Sequence, residues 1–436
     1  MSQGHRALAA EEKAWERPKE AGEVSDPGWQ PFPRTGVPAE VAGQQARGAE
    51  AGFGVGTAAF ASPTTGWVYV GDGESAQCRV LFTDDAGATW SPQLAWRGLF
   101  YGRLAVFGER EAGFGLSVSR GDDINGYRPD PHPADDPFIG TDAFLAGTQN
   151  AGVTWTLAPI PDRRASGLYF LTPRRIWLTL YLSEVVPVEG GGHVVGDGGA
   201  RTWVLREGGV RTDLMRTPDG GVTWQRLRRM DGVGVMSVCF QSEAEGLMVA
   251  TGERNRMDLL YRTVDGGVSL ERVPLAPPRG LSASADTLLV PVAGLGGGVL
   301  LVLSARSRSD SERRPRWEGS YVYAADGQGG WAGPFPLPLP SARLSPPHMA
   351  APGPDGRVWA AADRDLLVAD DPAGPWRHQT VPLPAGQVIT GLNPVGDGVL
   401  WLTTRRFPGI EAVYGGQLYR SADDGANWTR VLVDST

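Results

Sequence analysis

The octapeptide Ser421-Ala422-Asp423-Asp424-Gly425-Ala426-Asn427-Trp428 lies between two short runs of strand character, Gln417-Leu418-Tyr419-Arg420 and Trp428-Thr429-Arg430-Val431-Leu432-Val433. Its pattern is Ser or Thr, any residue, Asp, any residue, Gly, any residue, then Thr, Ser or Asn, then Trp. The pattern recurs as Thr83–Trp90 (TDDAGATW), Thr148–Trp155 (TQNAGVTW) and Thr217–Trp224 (TPDGGVTW). Three worn copies follow the same plan. Thr263–Leu270 has Leu in place of Trp, and Ala324–Trp331 and Ala369–Trp376 keep Asp and Trp but lose the fifth-position Gly. The third positions are then Asp85, Asn150, Asp219, Asp265, Asp326, Asp371 and Asp423. The closing tryptophans are Trp90, Trp155, Trp224, Trp331, Trp376 and Trp428.

Around each good copy the chain falls into strand-sized runs separated by Gly, Pro and Asp turns. Gly52–Ala61, Gly66–Gly71, Arg79–Thr83 and Thr89–Leu94 form one such set, with the octapeptide between the third and fourth runs. Four short strands per unit, recurring at a period of roughly 45–70 residues, are the signature of a β-propeller blade. The expected fold is all-β, a single propeller of seven four-stranded blades, or six or eight if a worn copy is chance. Residues 1–50, rich in Ala, Glu, Gln, Gly and Pro and without periodicity, read as a disordered tail, and 51–436 as the propeller.

Each octapeptide residue has a structural reason. The third-position carboxylate, or the amide of Asn150, accepts hydrogen bonds from turn N–H groups two or three residues on. The fifth-position Gly supplies a positive φ at little steric cost. The seventh-position side chain hydrogen-bonds back across the turn. The Trp then buries a large ring, contributing about 2–3 kcal/mol of hydrophobic stabilisation. The motif therefore reads as a turn staple rather than as a calcium or catalytic site.

Composition agrees. In 436 residues there are 61 Gly, 35 Pro and 15 Trp, which suits many turns and many large buried rings. The net charge of −8 argues against wholesale binding to nucleic acid or anionic membrane. Cys78 and Cys239 show no framework or zinc spacing and read as buried free thiols. No stretch reaches the ~20 apolar residues of a membrane-spanning helix. The charged N-terminus lacks the apolar core of a signal peptide, so the expected location is the cytoplasm, or outside the cell if the start codon is misplaced. The five histidines are scattered, and no cofactor or metal is called for.

The octapeptide resembles the Asp-box, or BNR repeat, over residues 52–436. Asp-boxes occur in sialidases, the sortilin family, some xyloglucan-degrading glycosidases and the photosystem II stability/assembly factor family. What the resemblance implies is a propeller, with function open among these. Sialidases carry a Phe/Tyr-Arg-Ile-Pro motif ahead of the first box. The nearest text here, Phe32-Pro33-Arg34-Thr35-Gly36-Val37-Pro38, does not match it, and no spacing marks an Arg triad with a Tyr–Glu pair. The leading expectation is a non-enzymatic, monomeric scaffold with no catalytic residues. A sialidase-like exo-glycosidase, with an Arg-rich carboxylate site at the channel mouth, stands as the alternative.

In such a blade the octapeptides are turns between the third and fourth strands. They share a face with the turns between the first and second. The long insertions 120–141, 183–211, 252–257, 304–319 and 404–415 read instead as loops between the second and third strands, on the opposite face. They carry Arg120, Arg128, Arg254, Arg256, Arg405 and Arg406 and the aromatics Tyr127, Trp317 and Tyr414. These nine residues are the expected binding set, for a protein or an acidic polymer or glycan.

Overall fold

The computed structural model describes residues 35–38 and 54–433, apart from the segments 72–76, 120–140, 162–164, 189–201, 252–256, 283–284, 294–297, 308–316, 327–328, 341–347, 351–352 and 407–415. No helix occurs among the described residues. The strands make seven four-stranded antiparallel blades arranged as a seven-bladed β-propeller.

An extra strand, β1 (Thr35–Pro38), comes first. Blade 1 is β2 (Gly54–Phe60), β3 (Gly66–Gly71), β4 (Gln77–Thr83) and the first half of β5 (Ser91–Gly108). The second half of β5 opens blade 2, which continues with β6 (Glu111–Ser119), β7 (Thr141–Thr148) and β8 (Thr154–Pro159). The handover falls at Gly98: pairing with β4 runs to Arg97 and pairing with β6 begins at Gly98, whose φ of 150° favours Gly. Blade 3 is β9 (Ala165–Phe170), β10 (Ile176–Val188), β11 (Thr202–Thr217) and β12 (Gln225–Asp231). Blade 4 is β13 (Val235–Phe240), β14 (Gly246–Thr251), β15 (Met257–Thr263) and β16 (Glu271–Val273). Blade 5 is β17 (Asp286–Ala293), β18 (Val299–Arg306), β19 (Trp317–Ala325) and β20 (Trp331–Pro336). Blade 6 is β21 (His348–Ala350), β22 (Val358–Ala362), β23 (Asp365–Ala369) and β24 (Arg377–Thr380). Blade 7 is β25 (Gln387–Gly396), β26 (Val399–Arg406), β27 (Gln417–Ser421) and β28 (Thr429–Val431).

The ring is held by the two-residue period of its strands. In β3 every residue is buried, because each blade has a neighbour on both faces. Trp67 and Tyr69 pack with Phe114 and Trp155 of blade 2, while Val68 and Val70 pack with Val395 and Trp401 of blade 7. Seven clusters of this kind span the seven blade-to-blade junctions. The junction of the last blade with the first closes the ring. There Phe60 stacks on Trp401 at 3.8 Å and 5°, and Trp90 Nε1 donates to the Leu432 carbonyl at 3.1 Å.

Two expectations are corrected here. Thr35–Pro38 lies within the stretch expected as tail, yet it pairs antiparallel with β8, from Thr35 opposite Leu157 to Pro38 opposite Thr154. This adds a fifth strand to the outer edge of blade 2. The insertion at 183–211 was expected to be loop; most of it is strand. β10 and β11 stay paired from Val185 opposite Leu205 to Val188 opposite Thr202.

Candidate functional site

All seven octapeptides fall between the third and fourth strands of their blades, as the spacing predicts. In the turn after β4, Thr89 Oγ1 donates to Asp85 Oδ2 at 2.6 Å and Thr89 N donates to Oδ1 at 2.9 Å. The turns at Asp219 and Asp265 repeat this with Thr223 and Ser269, and at Asp423 the amide Asn427 Nδ2 donates at 2.7 Å. The carboxylate thus accepts mainly from the N–H four residues on, with a lesser contribution from the N–H three residues on, as at Ala88, Val268 and Ala426. The Thr89 hydroxyl and N–H, with the Thr83 hydroxyl, hold the Asp85 carboxyl below its usual range. The Asn427 amide and N–H, with Ser421, do the same at Asp423.

Sequence reasoning missed two parts of this staple. The first-position hydroxyls are buried and do double service. Thr83 Oγ1 accepts from Gly87 N at 2.9 Å and donates to Asp85 Oδ1 at 2.9 Å, and Thr148, Thr217, Thr263 and Ser421 repeat the pair of bonds. The fourth position is left-handed as well as the fifth: φ is 61° at Ala86, 56° at Ala151 and 56° at Asp424. The fourth-position N–H then reaches the neighbouring turn. Ala86 N donates to Thr64 O, Ala151 N to Arg110 O, and Asp424 N to Gly398 O, each at 2.9 Å. These bonds tie the two sets of turns into one closed face. The signal for both features was present in the invariant first-position hydroxyl of the good copies, whose role needs the folded turn to be read.

The two worn copies that lack the fifth-position Gly turn differently. Asp326 Oδ1 still accepts from Gly330 N at 2.9 Å, whereas Asp371 Oδ1 accepts from Ala373 N at 2.7 Å and a cis Gly374–Pro375 bond follows. Trp90, Trp155 and Trp224 are buried, while Trp331, Trp376 and Trp428 are half-buried.

The turns also dock on neighbouring blades. Gln93, 4% exposed, accepts at Oε1 from Trp67 Nε1 at 3.2 Å and Trp155 Nε1 at 3.3 Å, and its Nε2 donates to Ala151 O at 2.7 Å. Trp177 Nε1 donates to Gly266 O at 2.9 Å across blades 3 and 4. Arg357 of blade 6 reaches Asp424 Oδ1 at 2.6 Å in blade 7 and also binds Asp355 Oδ2; these partners, led by Asp424, raise its already high pKa.

On the opposite face the expected binding set is only partly in view. Arg120, Tyr127, Arg128, Arg254, Arg256 and Tyr414 lie outside the described residues. Arg405 and Arg406 end β26, half-buried and exposed respectively, opposite Val388 and Gln387 of β25. Beneath them Thr404 Oγ1 donates to Gln387 Oε1 at 3.1 Å, and Tyr419 Oη donates to Gln417 Oε1 at 2.7 Å. Trp317 is not an exposed anchor: it begins β19 and is 6% exposed, because strand pairing with β18 reaches back to it. Among the described residues, no three His, Cys, Asp or Glu side chains gather as a metal site would require.

Fold and turns together define a seven-bladed propeller with its octapeptide turns gathered on one face. No family model matches the chain, and none of the curated proteins compared with it does. Among solved structures it is similar to YCF48 bound to D1 peptide, at 15% identity over 92% of this chain and 85% of that one, with a TM-score of 0.36. It is similar to YCF48 from Cyanidioschyzon merolae at 14% identity over 81% and 95%, with a TM-score of 0.41. It is similar to the GH74 enzyme of Niastella koreensis at 13% identity over 86% and 59%, with a TM-score of 0.45.

Proposed function

We propose that this propeller is an Asp-box protein acting as a non-enzymatic recognition scaffold. It binds a protein or an acidic polymer on the face of the connections between second and third strands. The observation that supports this reading is the β10–β11 arm. β9 follows β10 only to Leu180, and β12 follows β11 only to Arg211, so beyond these points the two strands have each other alone. Their pairing continues to Val188 and Thr202, an extension of roughly 20 Å at the rise of a strand. The extension rises from the same face as Arg405 and Arg406.

The sialidase-like alternative needs a tyrosine paired with a carboxylate. Tyr419 pairs with Gln417, Tyr169 with the Phe240 carbonyl at 2.8 Å, Tyr323 with the Ala276 carbonyl at 2.8 Å, and Tyr69 with Cys78. Turnover of a fluorogenic sialoside by purified protein would favour this alternative over the scaffold reading.

The direct test is quantitative capture of binding partners from an extract of the source cells. Two variants are compared with the wild type: Arg405→Glu with Arg406→Glu, and an arm shortened to a two-residue turn after Leu182. Loss of a partner by about tenfold in either variant is expected, the scale of one charge-assisted contact or more. Equal recovery from both variants removes this face from the site.

A further inference from the structure

The stapled face carries a feature that the scaffold reading leaves unused. A cavity of ≈ 210 Å³ opens between the second-blade octapeptide turn and the first turn of blade 3. Asn150, Thr154, Thr156, Gln149 and Arg174 line its polar side, and Gly147 lies in its wall. Arg174 is the only charged residue of the lining.

Its chemistry follows from the one good octapeptide that has lost its carboxylate. Asn150 Oδ1 accepts from Thr148 Oγ1 at 3.0 Å and from Thr154 N at 3.0 Å. Two donors on one atom make it the carbonyl oxygen, so the other atom is the NH₂ group, which can only donate. It donates to Thr154 Oγ1 at 2.9 Å. In the acidic turns the seventh-position group spends its proton on the carboxylate. Here Thr154 accepts instead, and its own O–H proton is left for another acceptor.

Arg174 lines the same cavity. The adjacent Arg175 is committed, with Nε on Glu243 Oε1 at 2.7 Å and a second nitrogen on the Pro218 carbonyl. Arg174 uses its backbone N–H on Thr172 Oγ1 at 3.2 Å, and its exposed guanidinium has no partner among the described residues. The nearest acidic turn, at Asp219, has its carboxylate held by the Thr217 hydroxyl and by the N–H and hydroxyl of Thr223. The cavity therefore offers a planar cation, a free hydroxyl proton and an uncharged amide, with no carboxylate in its lining. That donor set suits a carboxylate, because a guanidinium matches two oxygens in one plane.

We propose that this cavity is a carboxylate-binding site, which takes an acidic side chain or a small free dicarboxylic acid. The test is calorimetric titration of the full chain with three probes: glutarate, an acetylated and amidated Gly-Gly-Glu-Gly-Gly peptide, and its Gln counterpart. Glutarate, the Glu peptide or both are expected to bind, and which of them does so distinguishes a free acid from a peptide side chain. Arg174→Gln removes the cation from an exposed, unpartnered position. Asn150→Asp restores the residue of the acidic turns, recapturing the Thr154 proton and adding a negative charge. Each variant is expected to weaken the binding probe at least about tenfold, the scale of a lost charge-assisted hydrogen bond. The melting temperature of Asn150→Asp is expected not to fall, which separates a lost site from a lost fold. The proposal is overturned if no carboxylate probe binds the wild type, if the Gln peptide binds as tightly as the Glu peptide, or if both variants bind as the wild type does.

Discussion

Asn150 Nδ2 donates to Thr154 Oγ1 at 2.9 Å, whereas Thr89 Oγ1 donates to Asp85 Oδ2 at 2.6 Å in the corresponding turn of blade 1. The same backbone thus carries a neutral bond in one blade and a shorter, charge-assisted bond in its neighbour. Charge-assisted hydrogen bonds are the stronger class. Asn150→Asp is therefore expected to raise the melting temperature by about 1–3 °C at neutral pH. Calorimetry on the purified chain checks this, and a fall would mean that the cavity cannot hold the added charge.

The acidic turns make stability depend on pH in a stated direction. Hydrogen bonds from Thr89 and Asn427 depress the Asp85 and Asp423 carboxyls. At Asp265, burial pushes the carboxyl up, but the Ser269 and Thr263 bonds outweigh it. A depressed folded-state pKa means that the unfolded chain binds the proton more readily. The stabilisation is complete above the ordinary carboxyl value of about 4 and is lost as pH falls below it. Replacing Asp85 and Asp423 by Asn should lower the denaturation midpoint at pH 7 and flatten its decline below pH 4. Parallel acid profiles for wild type and variant would contradict this account.

Gln93 Oε1 accepts from two indole N–H groups at 0% exposure, those of Trp67 and Trp155. Gln93→Leu keeps most of the volume and strands both donors, so it is expected to cost about 2–4 kcal/mol. Denaturant unfolding measures it. Gly152→Ala should act through the same residue, because its new Cβ would fall 1.5 Å from Gln93 Oε1, at a φ of 79°.

Closure of the ring rests on side-chain packing and a few single hydrogen bonds, such as Val55 N to Gly416 O at 2.9 Å, rather than on a strand shared between first and last blades. Trp401, at 0% exposure, stacks on Phe60, and Gly87 of the first octapeptide packs beside it. Trp401→Ala is expected to cost about 3–5 kcal/mol, the usual loss for a large buried aromatic. Hydrogen exchange should rise first in blades 1 and 7; a uniform rise around the ring would argue against a local closure point.

Both cysteines are buried and free, at 0% and 2% exposure. Burial pushes the Cys78 thiol up to about 11, against the hydrogen bonds to Tyr69 and the Gly98 carbonyl, which pull it down. A thiolate is the reactive form. Neither Cys78 nor Cys239 should react with Ellman's reagent at pH 8 in the native protein, and both should react in denaturing guanidinium.

Much of the architecture is legible from the octapeptide alone. A Gly at position five, a hydroxyl at one and seven and an acid at three specify one turn, and a turn of fixed type between strands specifies a blade. Those are local constraints: each residue bonds within four positions of itself, so sequence spacing suffices to read them. Three features were not legible in this way. β1 docks on β8 across more than a hundred residues, the 183–211 insertion pairs as an arm, and Trp317 is drawn into β19 rather than left exposed. Strand pairing at a distance depends on which edges are free once the blades have formed, and no local pattern states that.

The sequence by itself determined the repeating unit and the face on which the staples lie, because these follow from dihedral preference and from hydrogen bonds a few residues long; that every worn copy belongs to a blade, making seven, was decided by the strands of the folded ring. Only the tertiary structure decided what Asn150 does. Read along the chain, it is a worn acid. In the folded ring its neighbour across the junction is Arg174, brought there by the packing of blade 2 on blade 3, and the missing charge becomes the opening of a cavity.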